Sequence, residues 1–254
     1  MLSKHQLKVL LRSRSWQFLA DREAAAFKPG LVHTLSWNGH PVHYRPGSSD
    51  PEVIYKILLK GGRKADYWLP PEVSAKVVWD IGANMGSASV YLAHRFPDAT
   101  IHAFEPVPEN FALVERNAAG LAVTPHNLAL GAQDGELEIS ASDYPLNFGG
   151  FSFHYNGAAP AASTRVRMAR ADSLIAQGIP APDLIKIDTE GAEWDILTAF
   201  PADVLARVGW IIGELHSVRS FELLEYLSRW FLIETKKSMK SPLFMFSAKN
   251  KSAA

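Results

Sequence analysis

Apolar and polar positions along much of the chain follow a pattern that predicts strands separated by amphipathic helices. From Val77 onward, short apolar runs recur between segments whose apolar residues return every three or four positions. The predicted strands are Val77–Ile81, Thr100–Glu105, Val123–Leu130, Leu184–Asp188 and Gly209–Leu215, and the predicted helices are Ser87–Arg95, Pro108–Ala119, Glu193–Phe200 and Ser220–Trp230. This order is typical of an α/β fold with a doubly wound, mostly parallel sheet covered on both faces.

The end of the chain departs from this alternation. Phe231–Lys236 and Leu243–Ser247 are two β-rich runs with Ser241-Pro242 between them, too close for a crossover helix. They should therefore pair as a C-terminal antiparallel hairpin. A dinucleotide dehydrogenase sheet more often continues with parallel strands.

Residues 1–76 precede this pattern and form a predicted helical and β-hairpin extension to a domain of residues 77–254. Ser3–Phe27 reads as one basic amphipathic helix, either packed on the domain or docking a partner or a membrane surface. Val32–Trp37 and His40–Tyr44 flank Asn38-Gly39, a dipeptide typical of a tight hairpin turn. Asp50-Pro51 begins a further helix that runs to about Leu59.

An insertion loop at residues 140–164 interrupts the strand–helix alternation with glycines and aromatic residues. Such a loop is either a binding lid or a small satellite core. Its flanks, Gly131–Ile139 and Thr164–Met168, should pair as extra strands, and Asp172 should cap a short helix at Ser173–Gln177.

Composition narrows the function classes. The 254 residues contain 26 basic and 26 acidic side chains, so the chain has no overall basic charge for nucleic acid. There is no cysteine, which excludes disulfides and thiolate sites, and the apolar run at Val9–Leu11 is too short for a membrane span. We expect a cytoplasmic protein, and the sequence leaves homodimer formation open.

A glycine-containing loop follows the first strand of the main domain. Asp80-Ile81-Gly82-Ala83-Asn84-Met85-Gly86 lets the backbone approach a ligand closely and leads into a helix N-terminus. About 20 residues later Glu105 ends the second strand, where an acidic side chain can accept hydrogen bonds from ribose hydroxyls. This pair suits a nucleoside cofactor, either NAD or S-adenosylmethionine.

A third motif, the run Lys186-Ile187-Asp188-Thr189-Glu190-Gly191-Ala192-Glu193, follows the glycine loop and Phe104-Glu105-Pro106. Together the three motifs resemble the FkbM family of methyltransferases, with Thr189 in place of the usual valine. The resemblance implies a Rossmann-like class I methyltransferase fold and an S-adenosylmethionine cofactor. By the resemblance, the cofactor would be held by Asp80, Gly82, Asn84, Gly86 and Glu105. Its adenine would lie near Asn127–Leu130, which includes Ala129, and Asp134 is a weaker candidate to bind the exocyclic amine of the adenine.

The candidate catalytic residues follow two neighbouring strands. Asp188 and Glu190 come after one strand, and Glu214 and His216 after the next, so they should meet at one edge of the sheet. His216 is the candidate base for an acceptor hydroxyl, oriented by a carboxylate such as Glu214. The alternative is a divalent metal such as Mg²⁺ bound by Asp188, Glu214 and His216.

The leading functional hypothesis is an S-adenosylmethionine-dependent O-methyltransferase. The resemblance implies an acceptor hydroxyl on a sugar, a glycan or a secondary metabolite, and no residue chooses among these. A nicotinamide-dependent oxidoreductase is disfavoured because no Tyr-x-x-x-Lys pair follows the glycine loop. A non-catalytic nucleoside-binding domain leaves the acidic cluster unexplained.

Overall fold

A computed structural model describes residues 2–24, 26–140, 163–216, 219–237 and 244–252. Its α-helices are α1 Lys4–Ser13, α2 Trp16–Glu23, α3 Asp50–Ile54, α4 Ser87–Arg95, α5 Pro108–Ala118, α6 Ala171–Ala176, α7 Glu193–Thr198, α8 Ala202–Leu205 and α9 Ser220–Leu227. Its strands are β1 His33–Trp37, β2 His40–Tyr44, β3 Val77–Ile81, β4 Thr100–Phe104, β5 Val123–His126, β6 Ala129–Leu130, β7 Gly135–Ser140, β8 Ser163–Ala169, β9 Leu184–Ile187, β10 Trp210–Leu215, β11 Phe231–Lys237 and β12 Phe244–Asn250.

The central sheet has seven strands in the order β11-β12-β10-β9-β3-β4-β5. Strands β10, β9, β3, β4 and β5 pair in parallel, and β12 runs antiparallel to both of its neighbours. The doubly wound, mostly parallel sheet and the C-terminal antiparallel hairpin are therefore confirmed. The hairpin folds back so that its second strand lies between β10 and β11.

Successive residues of the inner strands point to opposite faces of the sheet, and both faces are buried. Trp79 and Ile185 pack on one side in a core that includes residues of α7 and α9. Val78 and Leu184 pack on the other side in a core that includes residues of α4 and of the N-terminal elements. This burial explains why the strands read as nearly continuous apolar runs.

The strand predicted at Val123–Leu130 is wrong as one element, because the chain turns at Asn127. The side-chain Nδ2 of Asn127 donates hydrogen bonds to the carbonyl oxygens of Glu105 (2.9 Å) and Pro106 (3.0 Å). Strand β5 ends before this turn, and β6 joins a separate three-stranded sheet of order β6-β8-β7. The predicted pairing of the insertion flanks is confirmed in that sheet, where β7 and β8 pair antiparallel.

Two predicted helix boundaries are corrected. The helix at Ser3–Phe27 is two helices, since Arg14 adopts a left-handed conformation (φ 54°) and the Ser15 side chain caps α2 by accepting from the Phe18 amide at 3.0 Å. Asp172 lies inside the first turn of α6 and pairs with Arg170 instead of capping the helix. The lid or satellite core predicted at 140–164 lies almost entirely outside the described residues.

The N-terminal elements are joined closely to the sheet. The β1–β2 hairpin turns at Asn38-Gly39 as predicted. Asn117 of α5 accepts from the amide of His43 (2.6 Å) and donates to its carbonyl oxygen (3.0 Å), which ties β2 to the helix. The helix predicted to start at Asp50 does so, and continues past Ile54 as a π-helical turn, Tyr55–Leu59. Within the described part of the chain, no helix is both long and apolar enough to cross a membrane.

Candidate active site

A cavity of about 260 Å³ opens where the carboxyl ends of β3, β4, β9 and β10 meet, in the position where such sheets bind ligands. Its walls include the predicted residues Gly82, Asn84, Glu105, Ala129, Asp188, Glu190 and His216. Asp80 and Gly86 are not among the lining residues. Asp134 is also absent from the wall, and its carboxylate bonds instead to Ser173 (2.6 Å) and the Arg170 amide (2.8 Å).

The glycine loop crosses directly over the chain at Asp188. Gly82 has φ +76°, and a Cβ atom there would lie 1.9 Å from the Asp188 carbonyl oxygen, so only glycine fits. Asn84 is also left-handed, with φ 52°. The Asn84 amide donates to Glu105 Oε2 at 2.7 Å, and this bond fixes the loop against the end of β4.

Glu105 is 4% exposed and serves the loop and the cavity together. Its other oxygen, Oε1, accepts from the Val107 amide at 3.0 Å and from Asn110 Nδ2 at 3.4 Å. Burial raises the pKa of Glu105 to about 7 despite these hydrogen bonds. Oε2 accepts one hydrogen bond, from the Asn84 amide, and has a second lone pair, so the side chain can still accept from a ligand hydroxyl.

Asp80 lies beneath the loop and is paired with Lys186. Lys186 Nζ is 3.0 Å from Asp80 Oδ1 and donates to the Gly82 carbonyl oxygen at 2.6 Å. Ser89 of α4 donates to the other Asp80 oxygen at 2.5 Å. Burial opposes the charge on Lys186, but Asp80 and Asp188 outweigh it and raise the pKa of Lys186. In this structure Asp80 therefore contacts Lys186, the residue that supports the glycine loop. Contact between Asp80 and the cofactor stays a prediction.

Four carboxylates surround the imidazole of His216. Its Nε2 lies 3.6 Å from oxygens of Asp188 and Glu190 and 3.8 Å from Glu214. Its Nδ1 is 3.0 Å from Glu193 Oε1, which also accepts from the amides of neighbouring residues. The carboxylate that orients the imidazole is thus Glu193, which was not predicted for this role. Asp188, Glu190, Glu214 and His216 meet at one edge of the sheet, as predicted.

The charges of this cluster determine its protonation. Burial disfavours the charged imidazole, but the hydrogen bond to Glu193 and the neighbouring carboxylates outweigh it and raise the pKa of His216 to about 10. Burial also raises the pKa of Glu190 and that of Glu214 to about 7. At neutral pH both ring nitrogens of His216 are therefore protonated and the ring is positively charged. The groups around it that can accept a proton are the carboxylates.

The same cluster contains side chains that could hold a metal ion. In the described parts of the chain, Asp188, Glu193 and His216 form a group whose ligand atoms lie within 4.8 Å of one another. Nδ1 of His216 is bonded to Glu193 Oε1, so the ring nitrogen that faces Asp188, Glu190 and Glu214 is Nε2. A magnesium ion bound by Asp188, Glu214 and His216 stays a prediction.

The N-terminal segment supplies a wall of the cavity that sequence reasoning missed. Tyr67 is buried, and its hydroxyl donates to Asp188 Oδ2 at 2.6 Å. Its ring centroid lies 5.2 Å from Lys186 Nζ, a cation–π distance. No local pattern marks Tyr67, since the partner it contacts is 121 residues away. Ser49 and Lys56 line the same wall.

Some side-chain oxygens in the cavity wall are buried without a hydrogen-bond partner among the described residues. They include Ser49 Oγ, Asn84 Oδ1 and Ser87 Oγ. Buried polar atoms are nearly always bonded in native proteins, so unpartnered ones in a cavity wall indicate a polar ligand. Asn84 belongs to the glycine loop, Ser87 begins α4 directly after it, and Ser49 precedes α3.

Comparisons with known proteins find one family model and several named relatives. The methyltransferase FkbM domain matches residues 80–237. The antimetabolite synthetase AmbE of Pseudomonas aeruginosa is 29% identical over 245 residues, covering 79% of this chain but 11% of that protein. Hexuronic acid methyltransferase AglP of Haloferax volcanii is 27% identical over 216 residues, with 83% of each chain covered. The 31-O-demethyl-FK506 methyltransferase FkbM of Streptomyces tacrolimicus is 26% identical over 176 residues, covering 56% of this chain and 66% of that one.

Proposed function

The chain belongs to the FkbM methyltransferase family, and from that premise we propose that it is an S-adenosylmethionine-dependent O-methyltransferase. Its acceptor is a hydroxyl on a sugar, a glycan or a secondary metabolite. The names of two relatives support this acceptor class, since one acts on hexuronic acid and the other carries a 31-O-demethyl substrate in its name. Membership of the family favours methyl transfer over the oxidoreductase and non-catalytic alternatives.

The observation that carries the proposal is that a single cavity joins the two halves of such a site. Glu105 and the loop at Gly82–Asn84 line one side, and Asp188, Glu190 and His216 line the other. The first side suits a nucleoside and the second suits proton removal. Because methyl transfer needs the acceptor and the methyl donor side by side, this juxtaposition matters more than either half alone.

The cavity fits S-adenosylmethionine in both polarity and charge. Ser49, Asn84 and Ser87 offer unpartnered oxygens, and Glu105 offers lone pairs to ribose hydroxyls. The carboxylates around His216 favour a cation, which matches the sulfonium of this cofactor. When bound, S-adenosylmethionine supplies an electrophilic methyl group.

The acceptor oxygen must lose its proton as it gains the methyl group, and the cluster at the ends of β9 and β10 receives it. His216 already holds a proton, so we assign the accepting role to Asp188 or Glu190 and the stabilising positive charge to His216. Glu193 keeps the imidazole in place through Nδ1. This assignment treats His216, Asp188 and Glu190 as one catalytic unit.

Calorimetry tests the cofactor assignment. Wild-type protein should bind S-adenosylmethionine and S-adenosylhomocysteine and should not bind NAD. Glu105→Ala should weaken binding at least tenfold, because it removes the ribose acceptor and the support of the Asn84 amide. The matched control, Glu109→Gln on the exposed surface of α5, should bind as wild type does. Binding of NAD in preference to the sulfonium cofactor would overturn the proposal.

The catalytic assignment has its own test once a methyl acceptor is in hand. Glu190→Gln and His216→Gln should each lower turnover by a larger factor than they change cofactor affinity, because their charges act mainly on the acceptor proton. EDTA should leave turnover unchanged. Full activity in both variants would contradict the proposed roles, and activity lost in EDTA and restored by Mg²⁺ would favour the metal alternative.

A further inference from the structure

A second and larger cavity, of about 880 Å³, lies beside the first on one face of the central sheet. Its floor is formed by alternate residues of three adjacent strands: Trp210 and Ile212 of β10, Ser247 and Lys249 of β12, and Leu232 and Glu234 of β11. The strand register places Trp210 opposite Lys249 and Ile212 opposite Ser247, so the floor is a regular grid of side chains. We call this cavity the floor groove.

The floor groove lies beside the candidate active site and shares a wall with it. Trp210, Ile212 and Glu214 are spaced by two residues along β10 and therefore share one face. The first two lie in the floor groove, and Glu214 lies in the active-site cavity beside His216. Four residues of strand cover about 13 Å, so the groove extends that far from the reacting groups. Asp66 and Tyr67 line both cavities and form their common wall.

The outer wall of the groove is held in place by contacts within the N-terminal segment and across to β11. The Arg63 guanidinium stacks 5.2 Å from the Trp68 ring. Lys236 Nζ, on β11, donates to the Arg63 carbonyl oxygen at 3.0 Å and so links the floor to the wall. The wall is thus attached at one end to β11 and at the other, through Tyr67, to Asp188.

The lining of the groove indicates the chemistry of what it holds. Its apolar surface comes from tryptophans and aliphatic side chains, and Leu232 is 59% exposed there. The charged side chains balance, with Arg63, Lys236 and Lys249 against Asp66, Glu72 and Glu234. A diphosphate or polyanion needs an excess of cations, which this groove lacks. Flat aromatic surfaces favour rings in the ligand.

We propose that the floor groove binds the body of the methyl acceptor, and that this acceptor is a neutral, mostly apolar, ring-containing molecule larger than a monosaccharide. The inference rests on the proposed function. It narrows the acceptor to a neutral, mostly apolar alcohol that contains rings, whose hydroxyl enters the active site past Tyr67. A free nucleotide sugar is the acceptor class that the groove disfavours.

The experiment uses Nile red, a neutral ring-containing dye whose emission rises when it leaves water. Ser247→Phe places a large ring in the middle of the floor, and Leu232→Glu places a charge at an exposed floor position that folding does not depend on. The matched control is Thr124→Phe, an exposed strand position at the opposite edge of the same sheet. Calorimetry with S-adenosylmethionine and thermal melting accompany each variant.

Wild-type and Thr124→Phe proteins should bind Nile red equally, and both groove variants should bind it at least tenfold more weakly with unchanged cofactor affinity. With a neutral macrocyclic alcohol as acceptor, KM should rise in the groove variants while kcat stays near wild type. Dye binding that is absent, or that both groove variants retain, would overturn the groove proposal. Methylation of a nucleotide sugar at equal rates in wild type and Ser247→Phe would also overturn it and leave the methyltransferase assignment intact, whereas failure to bind the cofactor would instead count against that assignment.

Discussion

Replacing Lys186 with methionine tests the support on which the cofactor loop rests. Lys186 is 2% exposed and Asp80 is fully buried, and Nζ lies 3.0 Å from the carboxylate. Methionine keeps an unbranched side chain but removes the charge, so the buried Asp80 carboxylate loses its countercharge and keeps the hydrogen bond from Ser89. Removing one partner of a buried ion pair costs about 3–5 kcal/mol of unfolding free energy. For a chain of this length that corresponds to about 6–20 °C in Tm.

Urea unfolding followed by circular dichroism measures this loss on Lys186→Met, Asp80→Asn and the double variant. Because the two groups interact directly, the double variant should be more stable than the sum of the two single losses predicts. Lys8→Met, at an exposed position of α1, is the control and should change the unfolding free energy by less than about 0.5 kcal/mol.

The same substitution reaches the active site through the Gly82 carbonyl, which loses its 2.6 Å hydrogen bond. Lys186→Met should therefore weaken S-adenosylmethionine binding as well as stability, and Lys8→Met should do neither. A stability loss under about 1 kcal/mol, or strict additivity in the double variant, would refute the argument that the pair holds the loop.

Further predictions concern the loop and the histidine cluster. Gly82→Ala should weaken cofactor binding, measured by calorimetry, at least tenfold, because its Cβ would overlap the Asp188 carbonyl oxygen. The control is Gly120→Ala, at a position with φ +78° and open space around it. It should leave cofactor binding unchanged and lower stability in thermal melts only by the backbone strain, about 1 kcal/mol. Glu193→Gln should lower the pKa of His216 from about 10, measured by NMR titration, since it removes the charge bonded to Nδ1. The pKa of His216 in the folded protein, about 10, exceeds its ordinary value of 6.5. Protonated His216 therefore stabilises the fold fully below pH 6.5, and this contribution is lost as the pH rises through 10. Over that pH range the free energy of unfolding in urea should fall more steeply in wild type than in His216→Gln.

Local sequence patterns predicted the sheet and most of the catalytic convergence. Asp188, Glu190 and His216 follow strands that pair directly, so their meeting at one sheet edge required only the parallel order of β9 and β10. Glu105 could be located in the same way, because it ends the strand next to the glycine loop. In each case a short-range signal and one rule about parallel sheets were enough.

Contacts that depend on distant parts of the chain could not be predicted. Tyr67 reaches Asp188 from an irregular segment, and no periodicity places its side chain there. The turn at Asn127 depends on carbonyl oxygens of Glu105 and Pro106, some 20 residues earlier, so an apolar run that looked like one strand became two. Glu193 stood within the recognised motif, yet its role required knowing where His216 lies.

Both cavities are lined by residues from inside and outside the region that the family model matches. The residues proposed to bind the cofactor and to carry the reaction, from Glu105 to His216, lie within residues 80–237, which the FkbM domain covers. The wall that separates and shapes both cavities, from Ser49 through Trp68, lies before residue 80. Residues 1–76 therefore supply part of the wall of both cavities, including the space proposed for the acceptor. If chemistry resides in the shared domain and selection in this wall, substitutions at Trp68 should change which alcohols are methylated while cofactor affinity stays constant.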